Sequence, residues 1–240
     1  MLLFYIRHGD PIYAPDQLTP LGQKQAEAVA KRLALYGVDR IFASTSTRAF
    51  QTAQPTANLL KKDVKLLDWC LERHAHHDFG VLNEKGINRW CWEQPKYIEL
   101  FNRKEMRELG EQWYDHPALA EYRDQFKTGM ERIQTEADAF LASLGYEHDR
   151  ENSRYRPTHP NDERIALFAH EGFGVAFMSA LLDIPYPIFC TRFQMSHSCM
   201  SVIEFSNENE IVIPHVLQYS NDSHLYREGL PTNYQNRIRF

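Results

Sequence analysis

Arg7-His8-Gly9 stands directly after a short apolar run, Leu2-Leu3-Phe4-Tyr5-Ile6. A run of that length ending in a charged pair reads as a buried strand that carries Arg and His to its own C-terminal end. Gly9 permits a sharp turn there and a close backbone approach to a ligand. An imidazole beside a guanidinium suits an incoming phosphate. The guanidinium pairs with two oxygens while the imidazole attacks phosphorus. Ser44, Arg48, Glu72 and His170 each follow a later candidate strand, so the same edge can gather more of this chemistry.

Together these residues make a complete set for phosphoryl transfer through a phosphohistidine. Neutral His8 would attack in line, with one ring nitrogen free and the proton on the other held by a backbone carbonyl. Arg7, Arg48 and His170 would hold the equatorial oxygens and offset their charge in the transition state. Glu72 would protonate the leaving oxygen and then deprotonate water. Glu84, Asp78 or Asp68 would take that role if the third strand ends elsewhere. No metal and no cofactor is required, because cationic side chains supply the charge. A metal-dependent hydrolase with His8, Asp10, His170 and Glu171 as ligands is a competing reading, as is a silent phosphate-binding module. His74, His76 and His77 have no cysteine partners at metal-site spacing and read as a loop rim.

The elements that must position these groups follow from periodicity. Thr19 caps a helix that Pro20 opens, with Ala26, Val29, Ala30 and Leu33 as its apolar stripe and Gly37 as its stop. Val38 to Ala43 reads as the second strand and Ser44 to Leu60 as a helix kinked by Pro55. Lys65 to Trp69 reads as the third strand. Residues from about 73 to 126 are charged, aromatic and poorly periodic, and read as a helical, cap-like insertion with Glu99 to Leu109 its clearest helix. Trp90, Trp92, Tyr97, Phe101, Trp113 and Tyr114 line a substrate cap or pack that insertion's own core. Met130, Ile133, Ala137, Phe140, Leu141 and Leu144 mark an amphipathic helix ended by Gly145. Tyr146 to Glu163 reads as a polar loop, Ile165 to Ala169 as the fourth strand, and Phe173 to Leu182 as a helix. Met200 to Phe205 and Ile211 to Leu217 flank Asn207-Glu208-Asn209 as a closing hairpin, and a polar tail from Ser220 wraps the surface.

Strands alternating with helices imply an α/β fold: a three-layer sandwich around a mainly parallel, doubly wound sheet with an antiparallel edge. Residues 1–240 read as one domain carrying the insertion. With 240 residues, 43% hydrophobic and 25% charged, the chain is of ordinary globular composition. A net charge of -5 gives no basic field for nucleic acid. The apolar start stops at Arg7, too early for a signal peptide or a membrane span. Cys70, Cys91, Cys190 and Cys199 show no disulfide spacing, which suits a reducing cytoplasm. The expected partner is a small phosphorylated substrate; a homodimer is admissible.

Four stretches carry a resemblance: FYIRHGD, LTPLGQKQAEAVAKRL, STSTRAFQTAQPTA and LFAHEGFG. Together they resemble the histidine phosphatase superfamily, which includes cofactor-dependent phosphoglycerate mutases and many phosphatases, and Leu71-Glu72-Arg73-His74 resembles the segment bearing its acid. The resemblance implies phosphorylation of His8, a phosphate pocket of Arg7, Arg48 and His170, and Glu72 as proton donor. It implies a phosphatase, with a mutase-type phosphotransferase as the alternative. Asp10-Pro11 stands where family members often have Glu then Ser or Thr. Ala169-His170-Glu171 stands where Ser-His-Gly is usual.

Overall fold

The computed structural model describes residues 1–206, 208 and 210–232. The chain divides into two compact units. The first comprises Met1–Leu71, Pro160–Glu171 and the chain from Met195 onward; the second comprises Glu72–His159 and Gly172–Gln194.

A six-stranded sheet forms the first unit: β1 (Leu2–Arg7), β2 (Arg40–Ser44), β3 (Val64–Leu67), β4 (Arg164–Ala169), β5 (Met200–Glu204) and β6 (His215–Asn221), in spatial order β6-β5-β1-β4-β2-β3. β1, β4, β2 and β3 pair in parallel, whereas β5 runs antiparallel to both β1 and β6. This is the mostly parallel α/β sheet with an antiparallel edge that the strand pattern implies. The later strand β4 inserts between β1 and β2, in register Arg7↔Ala169 and Phe168↔Ala43. Three strands therefore end side by side at one edge, the place where open parallel sheets bind ligands.

Alternation sets what each face packs. Phe4, Ile6, Ile41, Ala43, Ala166, Phe168, Met200 and Val202 share one face and bury against Val29 and Leu33 of α1 (Pro20–Tyr36) and Ala53 and Ala57 of α2 (Thr47–Leu60). Leu3, Tyr5, Ile165 and Leu167, on the opposite face, are also fully buried. That explains why β1 and β4 read as unbroken apolar runs. Thr19 caps α1 by accepting from the Gly22 N–H at 3.0 Å, and Gly37 ends it at φ 71°. Ser46 caps α2, which runs on through Pro55.

The second unit is mainly helical, with α3 (Glu72–Phe79), α4 (Arg123–Ser143) and α5 (Glu171–Leu182, whose first residue belongs to the first unit). Glu99 to Leu109 is not one helix: Pro95–Phe101 and Lys104–Leu109 are separate, because the chain leaves helical geometry around Asn102 and Arg103. Tyr97, Phe101 and Trp113 pack with Phe79, Phe126 and Tyr186 as a buried aromatic core, so these three of the six aromatics serve the unit's own packing. Tyr146 to Glu163 is not all loop either. Tyr146–Asp149 pairs with Arg154–Pro157 as a hairpin. Its strand pattern is hidden because the inward pair is His148 stacked on Tyr155 and the outward pairs are Glu147–Arg156 and Asp149–Arg154.

The closing hairpin exists as β5 and β6, with β6 starting at His215 rather than Ile211; Asn207 and Asn209 of its turn lie outside the described residues. So does the tail beyond residue 232, ahead of which Ser223–Arg227 forms a short helix that buries His224 and Leu225. Among the described residues, no helix is long and apolar enough to cross a membrane.

Candidate active site

β1 delivers Arg7 and His8, and the ladder continues one residue past it: the His8 N–H donates to the Ala169 carbonyl at 3.0 Å. His8 is 2% exposed. Its Nδ1 lies 2.7 Å from the Gly9 carbonyl, which can only accept, so that nitrogen holds the proton and Nε2 keeps its lone pair. Burial, the neighbouring His170 and the two arginines push the His8 pKa well below the ordinary value, so the ring is neutral. Gly9 has no left-handed backbone. Its necessity is proximity: a Cβ there would sit 2.6 Å from the Gly22 carbonyl oxygen, and one on Gly22 would sit 2.2 Å from the Asp10 oxygen. The segment after β1 is pressed against the first turn of α1, and the Gly9 N–H donates to Thr52 of α2 at 3.0 Å.

His170 follows β4, its ring 5.2 Å from that of His8. Arg48 Nη2 donates to His170 Nδ1 at 3.1 Å, which places the His170 proton on Nε2, facing Ser44 Oγ at 2.9 Å and Ser46 Oγ at 3.2 Å. Burial, then Arg48 and Arg7, keep this imidazole neutral as well. Arg48 is held on its other side by Asp16, which accepts from Nη1 at 2.7 Å and from the Thr47 N–H at 2.8 Å. Arg7 Nη1 donates to the Met195 carbonyl and pairs with Glu171 Oε2 at 2.9 Å. The Nε–H groups of Arg7 and Arg48 are both buried and unpartnered. Unsatisfied buried donors are rare in folded proteins, and two on neighbouring guanidinium groups fit an anion that completes them.

The family model of the histidine phosphatase superfamily (branch 1) matches residues 3–215. The chain belongs to this superfamily. A phosphoserine phosphatase variant from Entamoeba histolytica, solved with phosphoserine, has a TM-score of 0.58 at 18% identity, covering 93% of this chain and 98% of its own. Mycobacterial glucosyl-3-phosphoglycerate phosphatase with inorganic phosphate gives 0.56 at 18% identity, over 93% and 98%. A structure titled mycobacterial hydrolase 1 gives 0.57 at 18% identity, over 92% and 98%. These likenesses show the histidine phosphatase fold. No curated protein matches the chain by sequence.

Within this superfamily member the first unit brings Arg7, His8, Ser44, Arg48 and His170 together. Glu72 belongs to the second unit, where its two carboxylate oxygens accept the Gly172 and Phe173 N–H groups at 3.0 and 2.8 Å, at the N-terminal end of α5. Of the other acids, Asp78 is paired with Arg132 at 2.6 Å, Asp68 accepts from Thr45 at 3.1 Å, and Glu84 is exposed beside the turn between Leu82 and Asn88. His76 packs edge-on against Trp90, and His77 is mostly exposed. Among the described residues no group of three or more His, Cys, Asp or Glu side chains is arranged to hold a metal ion.

Three residues escape the sequence reading: Asp16, Ser46 and His197. The one role the sequence suggests for Glu171 is that of a metal ligand, whereas its carboxylate pairs with Arg7. His197 had a usable signal. It stands just before β5, and an antiparallel strand brings its beginning to the edge where the parallel strands end.

Proposed function

We propose that the protein is a phosphatase that hydrolyses a small phosphorylated metabolite, without a metal, through a phosphohistidine on His8. The observation that carries this is the state of His8: neutral, with Nδ1–H tied to the Gly9 carbonyl and Nε2 free to attack, beside two arginines with unpartnered Nε–H groups. His8 Nε2 forms a bond to phosphorus as the P–O bond to the leaving alcohol breaks. Arg7 and Arg48 offset charge on the equatorial oxygens, and His170 fixes Arg48. The leaving oxygen takes a proton from a general acid, the role that the motif Leu71-Glu72-Arg73-His74 assigns to Glu72, and the same group, then a carboxylate, takes a proton from the water that attacks phosphorus and returns His8 to the neutral state. Glu171 and Asp16 orient the two arginines while leaving their Nε–H groups for the anion. The relatives named for phosphoserine and glucosyl-3-phosphoglycerate support a small phosphomonoester as the substrate class. Four buried free thiols suit a reducing compartment, the cytoplasm.

Quenched-flow trapping with labelled phosphomonoester in the presence of chelator tests the reading. The expected product is an acid-labile, base-stable phosphoenzyme that maps to His8 and is absent from His8→Ala. An acid-resistant adduct on another residue, or turnover that needs an added divalent ion, overturns it.

A further inference from the structure

Among the described residues, His197 is the one imidazole beside the nucleophile that phosphoryl transfer leaves without a role. Its ring centroid lies 5.6 Å from that of His8, and its side chain is 19% exposed. Nε2 lies 3.0 Å from Arg7 Nη2. A guanidinium can only donate, so Nε2 is the acceptor and the His197 proton sits on Nδ1. That proton faces Asp10 Oδ1 at 3.5 Å, and the other oxygen of Asp10 accepts from Thr19, the cap of α1, at 2.7 Å. A chain thus runs from a helix cap through a carboxylate and an imidazole to a guanidinium. Burial, then Arg7, hold the His197 pKa down at about 4, with Asp10 opposing and Arg48 adding to the depression, so the acceptor survives at neutral pH.

Donor bookkeeping shows what this does. The two Nη1 protons of Arg7 have two acceptors, the Met195 carbonyl and Glu171. One Nη2 proton has His197. What remains is the buried Nε–H and the second Nη2–H, the side-on pair a phosphate takes in a bidentate grip. We propose that His197 is a positioning residue that fixes the Arg7 fork, through the Asp10-set tautomer, so that this pair of donors is presented to the bound phosphate. The inference rests on the reading that this pocket binds a phosphoryl group.

The test uses calorimetric titration with inorganic phosphate, which requires no turnover, alongside steady-state kinetics. His197→Ala is expected to weaken phosphate binding by about tenfold and raise KM by about as much, with kcat changed by less than about threefold. His197→Gln, whose Oε1 reaches the position of Nε2, restores both to within about threefold of the unmodified protein, whereas His197→Asn, which mimics Nδ1, does not. In an Arg7→Ala background, His197→Ala adds nothing. Unchanged phosphate affinity in His197→Ala, equal behaviour of the Gln and Asn variants, or full additivity with Arg7→Ala overturns the proposal. Should His197→Ala fail to fold, the Gln-against-Asn comparison decides. A protein that binds phosphate yet releases none from any phosphomonoester sinks the phosphatase reading while the titrations still judge His197. One that binds no phosphate sinks both.

Discussion

An imidazole attacks phosphorus only while it is neutral, so the side chains around His8 can be judged by what they do to its proton. Burial comes first, with His170, Arg7 and Arg48 behind it, and all of them disfavour a second proton. His8 should therefore stay neutral at pH values where a free imidazole is mostly charged. NMR titration of its ring nitrogens is expected to show no transition between pH 7 and 5; a midpoint near 6.5 would mean that burial and the two arginines do not hold the proton off. Arg48 offers a second test at this scale. It holds Asp16 with Nη1 and His170 with Nη2, and a lysine cannot reach both. Arg48→Lys is expected to lower kcat/KM by about 100-fold, and a loss below about threefold would mean the fork is not what matters. The grouping of Arg7, His8, Arg48 and His170 at one sheet edge was legible in the sequence because Arg7 ends β1, His8 and His170 directly follow β1 and β4, and Arg48 lies in the first turn of the helix after β2. His197 escaped because its signal lies in the antiparallel sense of β5, which brings the residues ahead of that strand, rather than those after it, to the same edge. Asp16 was hidden for another reason: it lies in the turn between the two short paired strands Pro11–Ile12 and Gln17–Leu18, and only folding brings it to Arg48.

Elements place those groups through contacts between backbones rather than between side chains. The tightest is at Gly9 and Gly22, where the loop after β1 lies directly on the first turn of α1. Gly22→Ala would put a methyl 2.2 Å from the Asp10 carbonyl oxygen and 3.0 Å from its N–H, and backbone cannot rotate away as a flexible side chain can. Destabilisation of about 2 kcal/mol is expected by urea titration, with weakened phosphate binding because Asp10 and His8 must shift. A fully stable Gly22→Ala with native affinity would mean that the loop has room to give. Helix boundaries such as Thr19, Pro20 and Gly37 could be read directly, because each performs a local task that its residue type announces. The hairpin Tyr146–Pro157 could not, since its inward residues are His148 and Tyr155 and its alternation is ionic rather than apolar.

At the scale of the whole molecule, the buried histidines of the first unit and His148 of the second respond to acid in opposite senses. No linear composition marks this, because each compact unit is assembled from separated segments. In the first unit His8 and His170 are held well below the ordinary value, and burial pushes His197 and His224 down to about 4. The unfolded chain takes protons on these rings near pH 6.5 while the folded unit refuses them, so stability falls as pH drops below that value. For His197 and His224 the loss between pH 6.5 and 5 is roughly 2 kcal/mol each. His148 in the second unit behaves in the reverse sense. Burial opposes its charge, but Asp138 at 3.0 Å and Asp183 at 2.9 Å overcome that and raise its pKa. Its contribution is complete below pH 6.5 and disappears as pH climbs through the folded value. Amide exchange should therefore diverge on acidification from pH 7.5 to 5. Amides of Leu3, Tyr5 and Leu167 lose protection, while that of Tyr155 in the second unit's hairpin keeps or gains it. His148→Gln should abolish the gain and leave the sheet's loss untouched. Equal losses in both units, or a Tyr155 response that survives His148→Gln, would show that these histidines do not set the acid behaviour of the fold.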